Sequence, residues 1–187
     1  MAKIKYNKCN VVELIKMFQN ADNKALEELI KRVQKEIYVI FSHLVNKRAD
    51  VADLTQETLI KMARSLKKLN NPEKFKSWLN RIIVNAFNDY IKKKKDDYEL
   101  GEDRLNEIKD KIGCEPGEKC FYLEIEKLIQ ASILSLPKDL RLAIVLREYE
   151  GFSYDDIAKI TNATVGTVKS RISRARQKLQ KELKEFI

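Results

Sequence analysis

Histidine is almost missing from this 187-residue chain: His43 is the only one. Cysteine is nearly as rare, and Cys9, Cys114 and Cys120 make an odd count without paired spacing. No zinc set can be assembled from so few ligands, and no disulfide framework is implied. Reduced thiols in an intracellular, cytoplasmic protein fit better. Cys114 and Cys120 stand in a polar, glycine-containing stretch and read as incidental loop thiols rather than a redox switch. His43 lies among Val39, Ile40, Phe41, Leu44 and Val45, as a half-buried imidazole does, not a ligand or a general base. Five glycines and three prolines are too few for the frequent tight turns of an all-β protein, and no glycine-rich phosphate loop occurs. No apolar run approaches the roughly 20 residues a membrane span needs. The first lysines are followed by Tyr6, Asn7, Lys8, Cys9 and Asn10, not by the apolar core of a secretory signal. No catalytic residues, metal or cofactor are expected, so the chain does not read as an enzyme.

Charge is plentiful and unevenly spread. Lys and Arg number 37 against 28 Asp and Glu, a net +9 that points to a polyanionic partner. Residues 1–95 carry 21 basic against 10 acidic groups, a net +11. Residues 96–126 reverse this with 4 against 11, a net −7, and residues 127–187 return to 12 against 7, a net +5. The acidic stretch also holds Gly101, Gly113, Pro116 and Gly117. The pattern predicts an all-α protein of two small helical domains, 1–95 and 121–187, joined by a flexible acidic linker over 96–120. Leu105, Ile108 and Ile112 recur there at helical spacing, which allows transient helix.

Apolar periodicity fills in the first domain. Leu26, Leu29, Ile30, Val33, Ile37, Ile40, Phe41 and Leu44 step by three and four, as one buried helix face requires. Leu54, Leu59, Met62, Leu66 and Leu69 repeat the pattern over Asp53 to Leu69. Asn70, Asn71 and Pro72 interrupt it. A third helix from Glu73 draws its core from Phe75, Trp78, Leu79, Ile82, Ile83, Ala86, Phe87 and Tyr90, and ends in Lys92–Lys95, which suit a helix C-terminus. Polar groups stand beside these stripes: Asp50, Asp53, Gln56 and Glu57 on the second helix, and Arg81, Asn85, Asn88 and Asp89 on the third.

The last domain carries the sharpest pattern. A helix is expected over Leu134 to Glu148, its start marked by Pro137. Gly151, Phe152 and Ser153 then turn the chain into a short helix, Tyr154 to Ile160, with Ile157 and Ala158 inward. A turn at Thr161, Asn162 and Ala163 leads to a final helix capped by Thr164, with Val165, Val168, Ile172, Ala175 and Leu179 inward. Support helix, tight turn and final helix make the layout of a helix-turn-helix. Thr164 to Lys178 holds five basic residues and no acid. Arg and Lys there suit phosphates and guanine edges, while Ser and Thr suit base edges or register.

At these residues a family resemblance emerges. Gly151-Phe152-Ser153-Tyr154-Asp155-Asp156-Ile157-Ala158, followed by Gly166-Thr167-Val168-Lys169-Ser170-Arg171, resembles region 4 of the extracytoplasmic-function sigma factors of the sigma-70 family. The first domain is similar to their region 2, through Asp53-Leu54-Thr55-Gln56-Glu57-Thr58 and through Phe75, Trp78-Leu79, Arg81-Ile82, Asn85 and Asp89-Tyr90. The resemblance implies a bacterial transcription-initiation factor that binds core RNA polymerase at its clamp helices and flap. It implies contact with promoter DNA, double-stranded upstream and single-stranded at the minus-ten element, and restraint by an anti-sigma factor. Polymerase docking then falls on Asp50, Asp53, Gln56 and Glu57. The minus-ten element falls on Asn70, Asn71, Lys74, Trp78, Arg81, Asn85, Asp89, Lys92 and Lys93, within a capture loop from Leu69 to Lys74 and the helix after it. Trp78 is expected in the core, and Asn85 to meet a flipped base. The minus-thirty-five element falls on Thr167, Lys169, Ser170, Arg171, Ser173, Arg174 and Lys178. The acidic linker then lies along the polymerase active centre and RNA path, as a nucleic-acid mimic or as a solvated tether.

The chain also departs from the family pattern. Val84 stands where many members carry Arg, Lys92–Lys95 replace an Arg-rich run, and Ser173 replaces a bulky aromatic found in some relatives. Lys meets phosphate as a point charge without Arg's planar fork. No further domain is expected after Ile187 and no inhibitory segment before the first helix. Two other readings compete: a DNA-binding regulator that works without polymerase, and an interaction protein that reads no promoter. The acidic Asp50–Glu57 face and the Trp78 helix speak against the first, and the basic last helix against the second.

Overall fold

The computed structural model describes residues 6–94 and 118–184, with side chains from residue 125 onward in the second stretch. Lys95, Cys114, the side chain of Cys120 and nearly all of the expected linker lie outside the described residues. Every regular element among those described is helical. Contacts divide the chain into two compact units. One is Met1–Ser42 with Lys47–Asn88, and the other is His43–Asn46 with Asp89–Ile187.

The amino-terminal unit opens with a 3-10 turn, Tyr6–Lys8, and helix α1, Val11–Gln19. Asn10 and Glu13 cap α1 reciprocally: Asn10 Oδ1 accepts from the Glu13 amide at 2.8 Å, and Glu13 Oε2 accepts from the Asn10 amide at 2.7 Å. The other end closes in a Schellman motif, with Ala21 N donating to Phe18 O at 3.0 Å and Asp22 N to Met17 O at 3.1 Å. Ala21 takes the left-handed position there, at φ 70°, where glycine is usual. Helix α2, Asn23–Leu44, buries Ala25, Leu29, Val33, Ile37, Ile40, Phe41 and Leu44. Leu26 and Ile30, expected inside, are half-buried; the stripe runs through Ala25 instead. Arg32 on α2 donates to Tyr6 O at 2.8 Å and Cys9 O at 2.7 Å, which fastens the amino-terminal turn to the helix.

Helix α3, Arg48–Leu66, starts five residues before the expected Asp53 and ends three before Leu69. The early start follows from Val51, which is buried, and the early end from a 3-10 turn in which Leu69 N donates to Leu66 O. Two buried threonines, Thr55 and Thr58, hide part of the stripe from an apolar count. A second 3-10 turn, Pro72–Lys74, precedes helix α4, Phe75–Lys93, so the third helix starts at Phe75 rather than Glu73. Its buried side includes Phe75, Leu79, Ile83, Ala86 and Phe87. Trp78, expected in the core, is only half-buried, because the stripe runs through Leu79 and Ile83 and leaves Trp78 at its border.

The carboxy-terminal unit contains α5, Glu118–Ser135; α6, Lys138–Glu148; α7, Tyr154–Thr161; and α8, Val165–Leu183. The single helix expected over Leu134–Glu148 is two, broken at Leu136-Pro137. Arg141, nearly buried, closes the break by donating to Leu136 O from Nε at 3.3 Å and Nη2 at 2.9 Å. Between α6 and α7 Gly151 sits at φ 70°, and Arg147 braces the turn through Phe152 O at 2.8 Å. Ser153 caps α7 and Asn162 ends it in the left-handed conformation at φ 52°. Helix α8 packs on α5, α6 and α7 through Val168, Ile172 and Ala175, all nearly inaccessible. Val165, at its start, and Leu179, one turn before its end, are half-buried.

Ala21 offers a direct check on this fold. A side chain at φ 70° costs roughly 1–2 kcal/mol, and glycine removes that strain while loosening the unfolded chain. We expect Ala21→Gly to leave the circular dichroism unchanged and to raise stability by about 0.5–1 kcal/mol in chemical denaturation of the full chain.

Candidate nucleic-acid interface

Helix α8 is fixed before it meets anything. The Thr164 hydroxyl accepts from the Thr167 amide at 3.1 Å and lies 2.8 Å from the Thr167 hydroxyl, so the first turn is closed by side chains. With Val168, Ile172 and Ala175 turned inward, the opposite surface is settled by helix geometry. Thr167, Lys169, Ser170, Ser173, Arg174 and Lys178 are exposed there. No acidic side chain occupies the first turn, so the partial positive charge of the helix start adds to the basic surface.

Two arginines of this helix are held by acids from α6. Arg171 Nη2 lies 3.5 Å from Asp139 Oδ2, with its side chain 29% exposed. Arg176 donates to Glu148 Oε1 from Nε at 3.2 Å and from Nη2 at 2.6 Å, which pushes its already high pKa further up. These exposed pairs contribute little to stability, but they set where each guanidinium points. Lys169, Arg174 and Lys178 are left to meet a polyanion directly. A groove between the start of α6 and the outer half of α8 is lined by Leu140, Arg171, Arg174, Lys178 and Lys181, with Asp139 its single acid.

On α4 the predicted residues form a stripe. Trp78, Arg81, Asn85, Asp89 and Lys92 step by three, four, four and three, which keeps them on one face. Arg81, Asn85, Asp89, Lys92 and Lys93 are exposed. Trp78 lies at the buried edge with its ring 5.9 Å from that of Phe75. Lys92 Nζ stands 3.9 Å from Asp89 Oδ1, a loose pair that leaves both available to water. Asn70, Asn71 and Lys74 are exposed in the segment before α4. Asn71 is also its cap: its Oδ1 accepts from the Glu73 amide at 3.1 Å. Val84 is buried, 2% exposed, so this position presents nothing to solvent.

Helix α3 offers a different surface. Asp53, Gln56 and Glu57 are exposed and Asp50 is half-buried. Glu57 Oε1 pairs with Lys61 at 2.8 Å. Ile60, 46% exposed, lies on the same side as Asp53 and Glu57, so the acidic face carries an apolar residue at its carboxy-terminal edge. Sequence reasoning missed Ile60, although it breaks the α3 period and that break is a readable sign. It also missed Asp139 and Glu148, whose partners come from another helix and leave no trace in linear spacing. Among the described residues no metal-binding group of three or more His, Cys, Asp or Glu occurs, and no helix is long and apolar enough to cross a membrane.

Comparison with known proteins adds to this geometry. Residues 126–179 match the family described as Sigma-70, region 4, and residues 29–96 match Sigma-70 region 2. The chain is 34% identical over 183 residues to the ECF RNA polymerase sigma-E factor of Haemophilus influenzae, covering 93% of this chain and 95% of that protein. It is 32% identical to the RNA polymerase sigma-H factor of Pseudomonas aeruginosa, covering 94% of each. Among solved structures it is similar to the sigma factor RpoE of Bartonella quintana, crystallised with the anti-sigma factor NepR. That likeness has a TM-score of 0.66 and 28% identity, and covers 88% of this chain and 99% of that one.

Asp139 is the testable acid of the α8 groove. Asp139→Asn removes the only negative charge among four basic side chains and releases Arg171. We expect tighter binding to any duplex DNA and a salt dependence steeper by about one unit. Stability should change by no more than about 1 kcal/mol. Titrations at several salt concentrations, with a thermal melt of the same variant, check both.

Proposed function

Since the chain belongs to the extracytoplasmic-function sigma factors, proteins that direct RNA polymerase to specific promoters, we propose how its surfaces divide that work. Residues 1–95 dock on core polymerase and handle the minus-ten element, residues 96–120 link, and residues 121–187 hold the minus-thirty-five element. The carrying observation is that one chain offers two unlike surfaces: an acidic face bordered by Ile60 on α3, and a basic helix-turn-helix ending in α8. A regulator working without polymerase has no use for the first. The protein acts in the cytoplasm as a binding factor rather than an enzyme.

Each surface suits a chemistry. Asp50, Asp53, Gln56 and Glu57 present carboxylate and amide acceptors to a basic partner surface on the polymerase clamp helices, and the flap receives the carboxy-terminal unit. Duplex DNA upstream takes α8 in its major groove. There Arg174 and Lys169 reach base edges or phosphates, Ser170 and Ser173 read at short range, and Lys178 meets the backbone. Arg171, held by Asp139, fixes register as much as it reads. At the minus-ten element the opened strand runs along α4. Asn85 supplies an amide that pairs with the Watson–Crick edge of an unstacked base, and Lys92 and Lys93 follow the phosphates. An anti-sigma factor restrains the protein, as the NepR complex of the Bartonella quintana relative suggests.

Run-off transcription with core polymerase on a fragmented genomic library tests the whole reading. Discrete start sites that depend on this chain are expected, and no gain over core polymerase alone would overturn it. The docking surface has its own test. Asp53→Lys with Glu57→Lys should weaken core binding at least tenfold in a pull-down or fluorescence titration. Helical circular dichroism should stay normal, because exposed charges contribute little to folding.

Asn85 separates melting from docking. Asn85→Ala should reduce open-complex formation on a duplex promoter while core binding stays intact. A pre-melted promoter should restore activity only in part, because the lost contact is to the captured base itself. Permanganate reactivity of the minus-ten strand reads the difference.

A further inference from the structure

Helix α3 ends without the glycine that usually closes a helix. Its last residue is Leu66, and Lys67 after it stays right-handed at φ −60°. The carbonyls of a helix end need donors, and a 3-10 turn supplies only some: Lys68 N donates to Ser65 O and Leu69 N to Leu66 O. Gln19, the last residue of α1, adds a side-chain donor to one of these carbonyls and to one beyond the turn. Its Nε2 donates to Leu66 O at 3.3 Å and to Leu69 O at 2.9 Å. Around it Phe18 is buried with Lys67 Nζ 5.5 Å above its ring, and α1 packs against the Pro72–Lys74 turn. Both ends of α1 are fixed in turn, by the Asn10–Glu13 caps and the Ala21 turn. Tyr6 adds a hydrogen bond to Asp22 at 3.0 Å. Gln19, Phe18 and both caps of α1 lie before residue 29, where the match to region 2 begins.

We infer that Gln19 is a positioning residue for the segment Leu69–Lys74, fixing through two backbone carbonyls the loop that holds Asn70 and Asn71 against the opened strand. The inference rests on the minus-ten role given to that loop above. An amide with both N–H groups on carbonyls leaves the loop little freedom to reorient, and base selection requires donors and acceptors held to within a fraction of an ångström. Gln19 touches no DNA in this scheme. Its effect passes through the loop alone.

The test replaces Gln19 with Met, which keeps length and apolar volume but has no donor, and with Asn, which is too short for both carbonyls. Hydrogen exchange in the free full-length protein reads the fastening directly. The Leu69 amide should exchange about threefold to tenfold faster in both variants, with the amides of α2 and α4 unchanged. Holoenzyme selection from a randomised minus-ten element reads the consequence. Preference at the captured base should fall severalfold, while minus-thirty-five preference and core binding stay at wild-type levels, which a general loss of structure would not spare. Asn71→Ala is the control for the loop. Unchanged exchange at Leu69 overturns the inference. So does faster exchange with full base preference where Asn71→Ala loses it. If Asn71→Ala also keeps full preference, the loop's minus-ten role is what fails, and the inference falls with it.

Discussion

The burial of Val168, Ile172 and Ala175 determines where every other side chain of α8 points. These three residues leave the helix no choice of rotation, because turning it by one residue would expose a valine and an isoleucine and bury a lysine or arginine. Fully burying such apolar side chains stabilises by roughly 1.5–3 kcal/mol each, whereas an unpaired buried charge costs several. The basic surface is therefore a by-product of the core. The Thr164 cap and the left-handed Asn162 then set the angle at which that surface leaves α7.

The same logic governs the amino-terminal unit with a different outcome. Its helices are thin, one buried stripe each, so the faces away from the core are wide. Acids and Ile60 collect on α3, and amide, guanidinium and ammonium groups collect on α4. One small bundle thus turns unlike chemistries outward on different helices. Packing along α4 also explains why Val84 is buried and Arg81 and Asn85 are not.

Much of this was legible in the residues, and the exceptions share a cause. Periodicity located α2, α4, α7 and α8, and single residues such as Pro137, Ser153 and Thr164 marked real boundaries. Helix α5 went unread because its buried face includes Ser132, a polar residue in a core position, and because its first turns sit in an acidic stretch that looks like linker. Val51 and the two buried threonines shifted α3 in the same way. At the candidate interface, charge and spacing on one helix picked out residues that the fold leaves mostly exposed. They were not enough to find Asp139, Glu148 or Gln19, which act across helices and become visible only when the chain is folded.

The outward face of α8 presents two serines, Ser170 and Ser173, among its cations. Among the described residues neither side chain is bonded to a neighbouring helix, and neither fills the core. Larger or differently shaped residues at these two positions would change the outward surface of the helix without disturbing the stripe beneath it. The scaffold thus keeps the residues that hold the helix and the residues that face outward separate on one helix. A duplicated copy of such a gene can change its outward surface through single steps, each of which still folds.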